Sequence, residues 1–104
     1  MDTKRKIKRI VDILEARKGE DIEILYVGRQ TWIADYFVIV SGNSIVHTRA
    51  LADTLLGEFG EKAVSVEGMG EGSWILLDYA EILVHIFVPE TRSLYNLEKL
   101  WADV

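Results

Sequence analysis

The 104-residue sequence predicts one domain of α/β class: a mixed sheet of four or five strands flanked by helices. Three observations predict it. Apolar residues recur at helical spacing in three separate segments. Five other segments, one of them short, alternate or run apolar over strand lengths. In chain order the segments read helix, two strands, helix, three strands, helix, and no repeat or low-complexity tract interrupts them.

The first helix is predicted from about Thr3 to Arg17, with Ile7, Ile10, Val11 and Leu14 forming a one-sided apolar stripe. Gly19 is expected to stop it. Asp21 to Val27 alternates as a strand, with Ile22, Ile24 and Tyr26 on one face. Asp35 to Ser41 is the second strand, and its apolar run Tyr36–Val40 marks it as central and covered on both sides. After the turn Ser41-Gly42-Asn43-Ser44, Asn43 or Ser44 caps a helix running to Gly57 or Phe59. Its sheet-facing positions are Leu51, Ala52, Leu55 and Phe59. Lys62 to Glu67 is a short strand candidate, and Gly68-Met69-Gly70-Glu71-Gly72 reads as a flexible loop. Ser73–Asp78 and Glu81–Val88 form a hairpin around Tyr79-Ala80. Pro89 opens a final helix with Leu94, Leu97 and Trp101 as its apolar stripe and Leu100 at the margin.

Charge is unevenly distributed. Residues 1–18 carry seven basic and three acidic side chains; the other 86 carry five and fourteen. The acidic body repels phosphate backbones, which argues against DNA as a ligand, and it suits a basic protein partner. A solvated face without a partner is the alternative. The basic helix start is read as solvated, with RNA or an acidic surface as the other possibility. The absence of cysteine removes disulfides, thiolate metal sites and cysteine nucleophiles. The longest apolar runs fall well below the ~18 residues of a membrane span. A cytoplasmic protein that engages no membrane is the expectation.

No catalytic constellation emerges. His47 and His85 are the two histidines, without the spacing of a zinc site, and no serine lies in a nucleophile elbow. His85 reads as a buried or half-buried histidine with a hydrogen-bond partner. Gly42-Asn43-Ser44 before a helix resembles a phosphate-cradling turn, though it is equally plain capping. No paired carboxylates follow it to hold Mg²⁺, because Asp78 and Glu81 straddle a turn and are expected to point at water. No metal or cofactor is therefore called. Within Trp74–Tyr79, pleating places Trp74, Leu76 and Asp78 on one face and Ile75, Leu77 and Tyr79 on the other. One face serves the core, which leaves large side chains for a surface or for packing under the last helix.

Four stretches carry a family resemblance: Ala34–Ser44; Val66-Glu67-Gly68 through Trp74–Tyr79; Val84–Arg92; and Tyr95–Trp101. In this order, over the whole chain, the sequence resembles the ribosomal silencing factor family (RsfS, also called Iojap). The resemblance implies a nucleotidyltransferase-like fold without the catalytic acids, and a non-enzymatic translation repressor. It also implies binding to ribosomal protein fourteen of the large ribosomal subunit. Joining of the small subunit is then obstructed and translation reduced when nutrients are short. It places the partner-binding residues at Trp74, Leu76 and Tyr79 as apolar anchors, with Asp78 as the ion-pairing group. The same surface is open to homodimerisation when no ribosome is present. A nucleotide-binding or nucleotidyltransferase-like enzyme using the Gly42–Ser44 turn is the competing reading. Where the family usually has Gly then Asp after this tyrosine, the chain has Ala80 and Glu81. A two-residue hairpin turn there requires positive φ at a cost to alanine of about 1 kcal/mol or more.

Overall fold

A computed structural model of the protein describes residues 2–102. Five strands form one sheet in the order β1-β2-β5-β4-β3. They are β1 (Glu20–Tyr26), β2 (Tyr36–Ser41), β3 (Ser65–Glu67), β4 (Trp74–Asp78) and β5 (Ile82–Phe87). Only the β2–β5 pair is parallel; β1–β2, β4–β5 and β3–β4 are antiparallel. The mixed α/β sheet expected from the sequence is therefore present. β5 is the middle strand, and all six of its residues are buried.

One sheet face is closed by the two long helices, α1 (Thr3–Ala16) and α2 (Ile45–Glu58). Ile10 and Leu14 of α1 and Leu51, Ala52 and Leu55 of α2 are fully buried against Val38, Val40, Ile75, Leu77, Val84 and Ile86. Asp2 caps α1 by accepting the Arg5 amide at 2.9 Å, and Ser44 caps α2 by accepting the His47 amide at 3.1 Å. Because the strands alternate, their other side chains build a second, smaller core: Val27, Ala34, Phe37, Ile39, Leu83, Phe87 and Leu97.

Three local expectations are corrected. The left-handed residue at the end of α1 is Lys18 (φ 63°), not Gly19. The Lys18 amide bonds Glu15 O at 2.9 Å and the Gly19 amide bonds Leu14 O at 2.8 Å, a Schellman closure. Position 19 is glycine for packing, since a Cβ there would lie 2.7 Å from Val40 Cγ2. The last helix is two short ones, α3 (Pro89–Tyr95) and α4 (Leu97–Leu100), separated by Asn96 at φ 48°, ψ 57°. The break turns Leu94 out to solvent, 78% exposed, while Leu97 stays buried and Trp101 packs edge-on to Phe37 with ring centroids 5.3 Å apart. The 68–72 loop is strapped down: the Thr48 hydroxyl reaches Gly72 O at 2.6 Å, Arg49 Nε donates to Met69 O at 2.9 Å, and Arg49 Nη2 donates to Gly70 O. Gly68 (φ 87°) permits no other residue, because a Cβ would overlap the Trp74 carbonyl. Among the described residues no helix is long and apolar enough to cross a membrane.

Candidate functional site

The second sheet face is covered only in part. α3, α4 and the 27–35 loop lie over its β2 and β5 portion, which leaves β4 and β3 open. Cross-strand register sets three rows there. Trp74 lies beside Phe87; Leu76 lies between Glu67 and His85; Asp78 lies between Ser65 and Leu83. Trp74, Leu76 and Asp78 are each half-buried, and Ser65 and Glu67 are exposed. A shallow groove of about 290 Å³ is lined by Glu67, Gly68, Trp74 and Leu76.

Trp74 is held from three sides. Its ring stacks on Phe87 at 4.9 Å and meets Tyr95 of α3 at 4.7 Å. Its Nε1–H donates to His85 Nδ1 at 3.1 Å. Trp74 thus packs beside α3 along one edge and stays half-buried, with part of the ring open to solvent. His85 is 4% exposed, and burial alone lowers its pKa to about 4. The ring is neutral near pH 7 and free to accept from Trp74. Among the described residues His85 Nε2 has no hydrogen-bond partner, and the ring sits between those of Phe37 and Phe87.

The hairpin tip differs from expectation. Asp78 does not point freely at water: its Oδ1 accepts the Ala80 amide at 2.8 Å. Glu81 pairs with Lys6 of α1 at 2.8 Å, and Glu61 meets the same ammonium at 3.0 Å. These two carboxylates raise the Lys6 pKa, Glu81 more than Glu61. Ala80 takes φ 71° at the first central position of a turn closed by Tyr79 N to Ile82 O at 2.9 Å.

Tyr79 is not brought to this surface. It is 4% exposed, lies on the α1/α2 face, and meets Phe59 edge-on at 4.9 Å. Burial raises its hydroxyl pKa, and the hydroxyl has no hydrogen-bond partner among the described residues. Tyr79 can support the hairpin but cannot act as an anchor for a partner. Tyr95, absent from the expected set, borders Trp74 and is 52% exposed. Its place could be found only by knowing that the end of α3 comes to rest beside Trp74 at the border of the open strip.

In and after the Gly42–Ser44 turn, three backbone donors are already engaged within the chain. The Gly42 amide bonds Phe87 O at 2.8 Å, the Asn43 amide bonds His47 Nδ1 at 2.9 Å, and the His47 amide is taken by Ser44. His47 Nε2 in turn donates to Arg17 O at 2.8 Å, tying the end of α1 to the start of α2. The helix start is flanked by exposed Ile45 and Val46. Among the described residues no three or more His, Cys, Asp or Glu side chains converge on one point.

The family model described as "Ribosomal silencing factor during starvation" matches residues 1–104. The chain belongs to the ribosomal silencing factor family. It is 36% identical to ribosomal silencing factor RsfS of Bacillus subtilis, over 99% of this chain and 90% of that one. It is 33% identical to the mouse protein named "Mitochondrial assembly of ribosomal large subunit protein 1", over 92% of this chain and 45% of that longer one. The crystal structure of a Chromobacterium violaceum protein superposes with a TM-score of 0.92 at 31% identity, over 100% of this chain and 89% of that one. A silencing factor is a regulatory protein by name.

Proposed function

We propose that the chain is a translation repressor that docks on the large ribosomal subunit through the open β4–β3 face. Its partner is ribosomal protein fourteen, and its action is occupancy rather than catalysis. Bound there, in the cytoplasm, it obstructs joining of the small subunit and lowers translation when nutrients are short. The observation that carries the reading is the uncovered strip Trp74–Leu76–Asp78: an indole held rigid on three sides, an adjacent leucine and a carboxylate, on a body with nine excess negative charges outside residues 1–18. Rigid aromatics lose little entropy on binding and dominate interface energetics. Ribosomal proteins are basic, so the acidic body accelerates encounter. The mouse relative's printed name concerns the large subunit of a ribosome, which is consistent with the same target.

The test is co-sedimentation of the protein with isolated large subunits, isolated small subunits and joined ribosomes. Retention on large subunits alone is expected, with loss on Trp74→Ala. Asp78→Asn keeps an oxygen for the Ala80 amide while removing the charge, so it should weaken binding and flatten its salt dependence without unfolding the hairpin. Equal retention of wild type and both variants refutes the placement of the interface. Asp78→Arg is the poorer probe, because it removes the turn's acceptor together with the charge.

A further inference from the structure

The 27–35 loop carries the most exposed large side chain among the described residues: Trp32 is 100% exposed, and its neighbour Ile33 is 70% exposed. Isolated exposed apolar residues are ordinary, but this pair is presented on a stiff support. The Val27 amide bonds Asp35 O at 2.8 Å and closes the loop. The Gln30 and Thr31 amides both reach Val27 O, at 3.0 and 3.1 Å, and the Ile33 amide reaches Thr31 Oγ1 at 3.2 Å. Val27 and Ala34 at its feet are buried in the second core with Phe37 and Leu83. The loop is also tied to the hairpin tip, because the Asp35 and Tyr36 amides both donate to Glu81 O, at 2.8 and 3.0 Å. Trp32, Ile33 and Asp35 thus line one cleft of about 290 Å³ with Ala80 and Glu81.

This loop continues the open sheet face rather than forming a separate one. Asp78 pairs in register with Leu83, and Leu83 with Phe37, the residue that the loop's feet pack against. Four strand steps separate Trp74 from Asp78, ~13 Å at strand rise, and the loop extends the surface past the tip to ~20 Å. That is within the span of a standard protein interface, roughly 800 Å² per partner. An aromatic then stands at each end, Trp74 and Trp32, with the Asp78 carboxylate between them, while the Glu81 carboxylate is turned to Lys6 of α1.

We infer that Trp32 and Ile33 are a second anchor of the same docking surface, and that the basic ribosomal protein engaged by Trp74 also reaches past the hairpin tip to cover them. Asp78 and the net negative charge of residues 19–104 favour a cationic protein segment there over an RNA backbone. The inference rests on the proposed docking, and the experiment separates the two. Trp32 has no buried contact to lose, so Trp32→Ala should leave the unfolding midpoint unchanged. It should weaken binding to isolated large subunits on the order of tenfold to thirtyfold, as loss of a buried interface aromatic does. Trp32→Phe should recover much of the loss. If Trp32→Ala binds like wild type while Trp74→Ala does not, the second anchor is wrong and the docking reading stands. Overturning also follows if Trp32→Ala shifts only the sedimentation of the free chain, which assigns the indole to self-association. If wild type itself is not retained, the docking reading and the second anchor fall together.

Discussion

His85 lies beside Trp74 and Leu76 at the proposed docking surface, and its titration makes a quantitative prediction. In the folded chain burial holds its pKa near 4; in the unfolded chain an ordinary histidine titrates near 6.5. A depressed folded pKa means the unfolded state binds the proton first. The contribution is therefore present in full above pH 6.5 and lost as pH falls toward 4. The loss is between 1 and 2 kcal/mol at pH 5.5 and about 3 kcal/mol at pH 4, a large share of the ~5–15 kcal/mol that holds a domain together. Protonation also removes the lone pair on Nδ1 that accepts the Trp74 indole at 3.1 Å, so the anchor loosens as stability falls. Urea unfolding followed by tryptophan fluorescence from pH 7.5 to 4.5 measures the effect. Acid-sensitive contributions from the rest of the chain are common to both proteins, so the informative quantity is wild type minus His85→Gln. Gln keeps an oxygen for Trp74 and carries no titrating charge. The stability difference between the two should change by about 2.5 kcal/mol across the range. Parallel pH curves for the two proteins, or a His85 ring resonance titrating near 6.5, would refute the argument.

Other predictions follow from the backbone and the core. Ala80→Gly should stabilise the chain by about 1 kcal/mol in chemical denaturation, since Ala80 holds φ 71° and glycine does so without a Cβ penalty. Gly68→Ala should destabilise it by ~1–3 kcal/mol or more, because the Cβ would overlap the Trp74 carbonyl and φ is 87°; a midpoint within error of wild type contradicts this. Leu55→Ala, at a fully buried position of α2, should cost about 2–5 kcal/mol while leaving large-subunit binding intact at temperatures where the variant is folded.

Much of the fold was legible because each long element carries its own period. The Leu51, Leu55 and Phe59 stripe of α2 and the apolar run of β2 are local signals, and both are buried as expected. The break at Asn96 was not legible. Leu94, Leu97 and Trp101 have good helical spacing, and the break depends on an asparagine taking a left-handed conformation while the Asn96 amide bonds Arg92 O at 2.8 Å. Pleating alone had already grouped Tyr79 with Ile75 and Leu77, and the structure follows that alternation rather than the role drawn from resemblance. The hairpin tip was misjudged for another reason: Glu81 meets Lys6 across 75 residues of sequence, a pairing no local pattern encodes. Trp32 had a signal, a tryptophan and an isoleucine between two strands without periodic partners, but its meaning depends on the loop's anchoring to Glu81.

The asymmetry of the sheet is what turns these residues into a site. A five-stranded sheet has two apolar faces, and each must be covered or put to use. Two fourteen-residue helices close the first face. The second has only seven residues of α3 and four of α4, placed over β2 and β5 by Leu97 and Trp101. Eleven helical residues cannot span five strands at roughly 4.8 Å spacing and still reach β3. A residual apolar strip on β4 follows from the lengths of these elements. Asp78 and Glu67 beside it keep the strip hydrated in the free chain, and they present negative charge to whatever covers it. An uncharged apolar strip of this kind would favour self-association; with carboxylates on its rim it favours a cationic partner instead. Reversing the rim charge should therefore shift the chain from large-subunit binding toward self-association, and sedimentation of a Glu67→Lys variant, whose carboxylate makes no hydrogen bond or ion pair among the described residues, can read both at once.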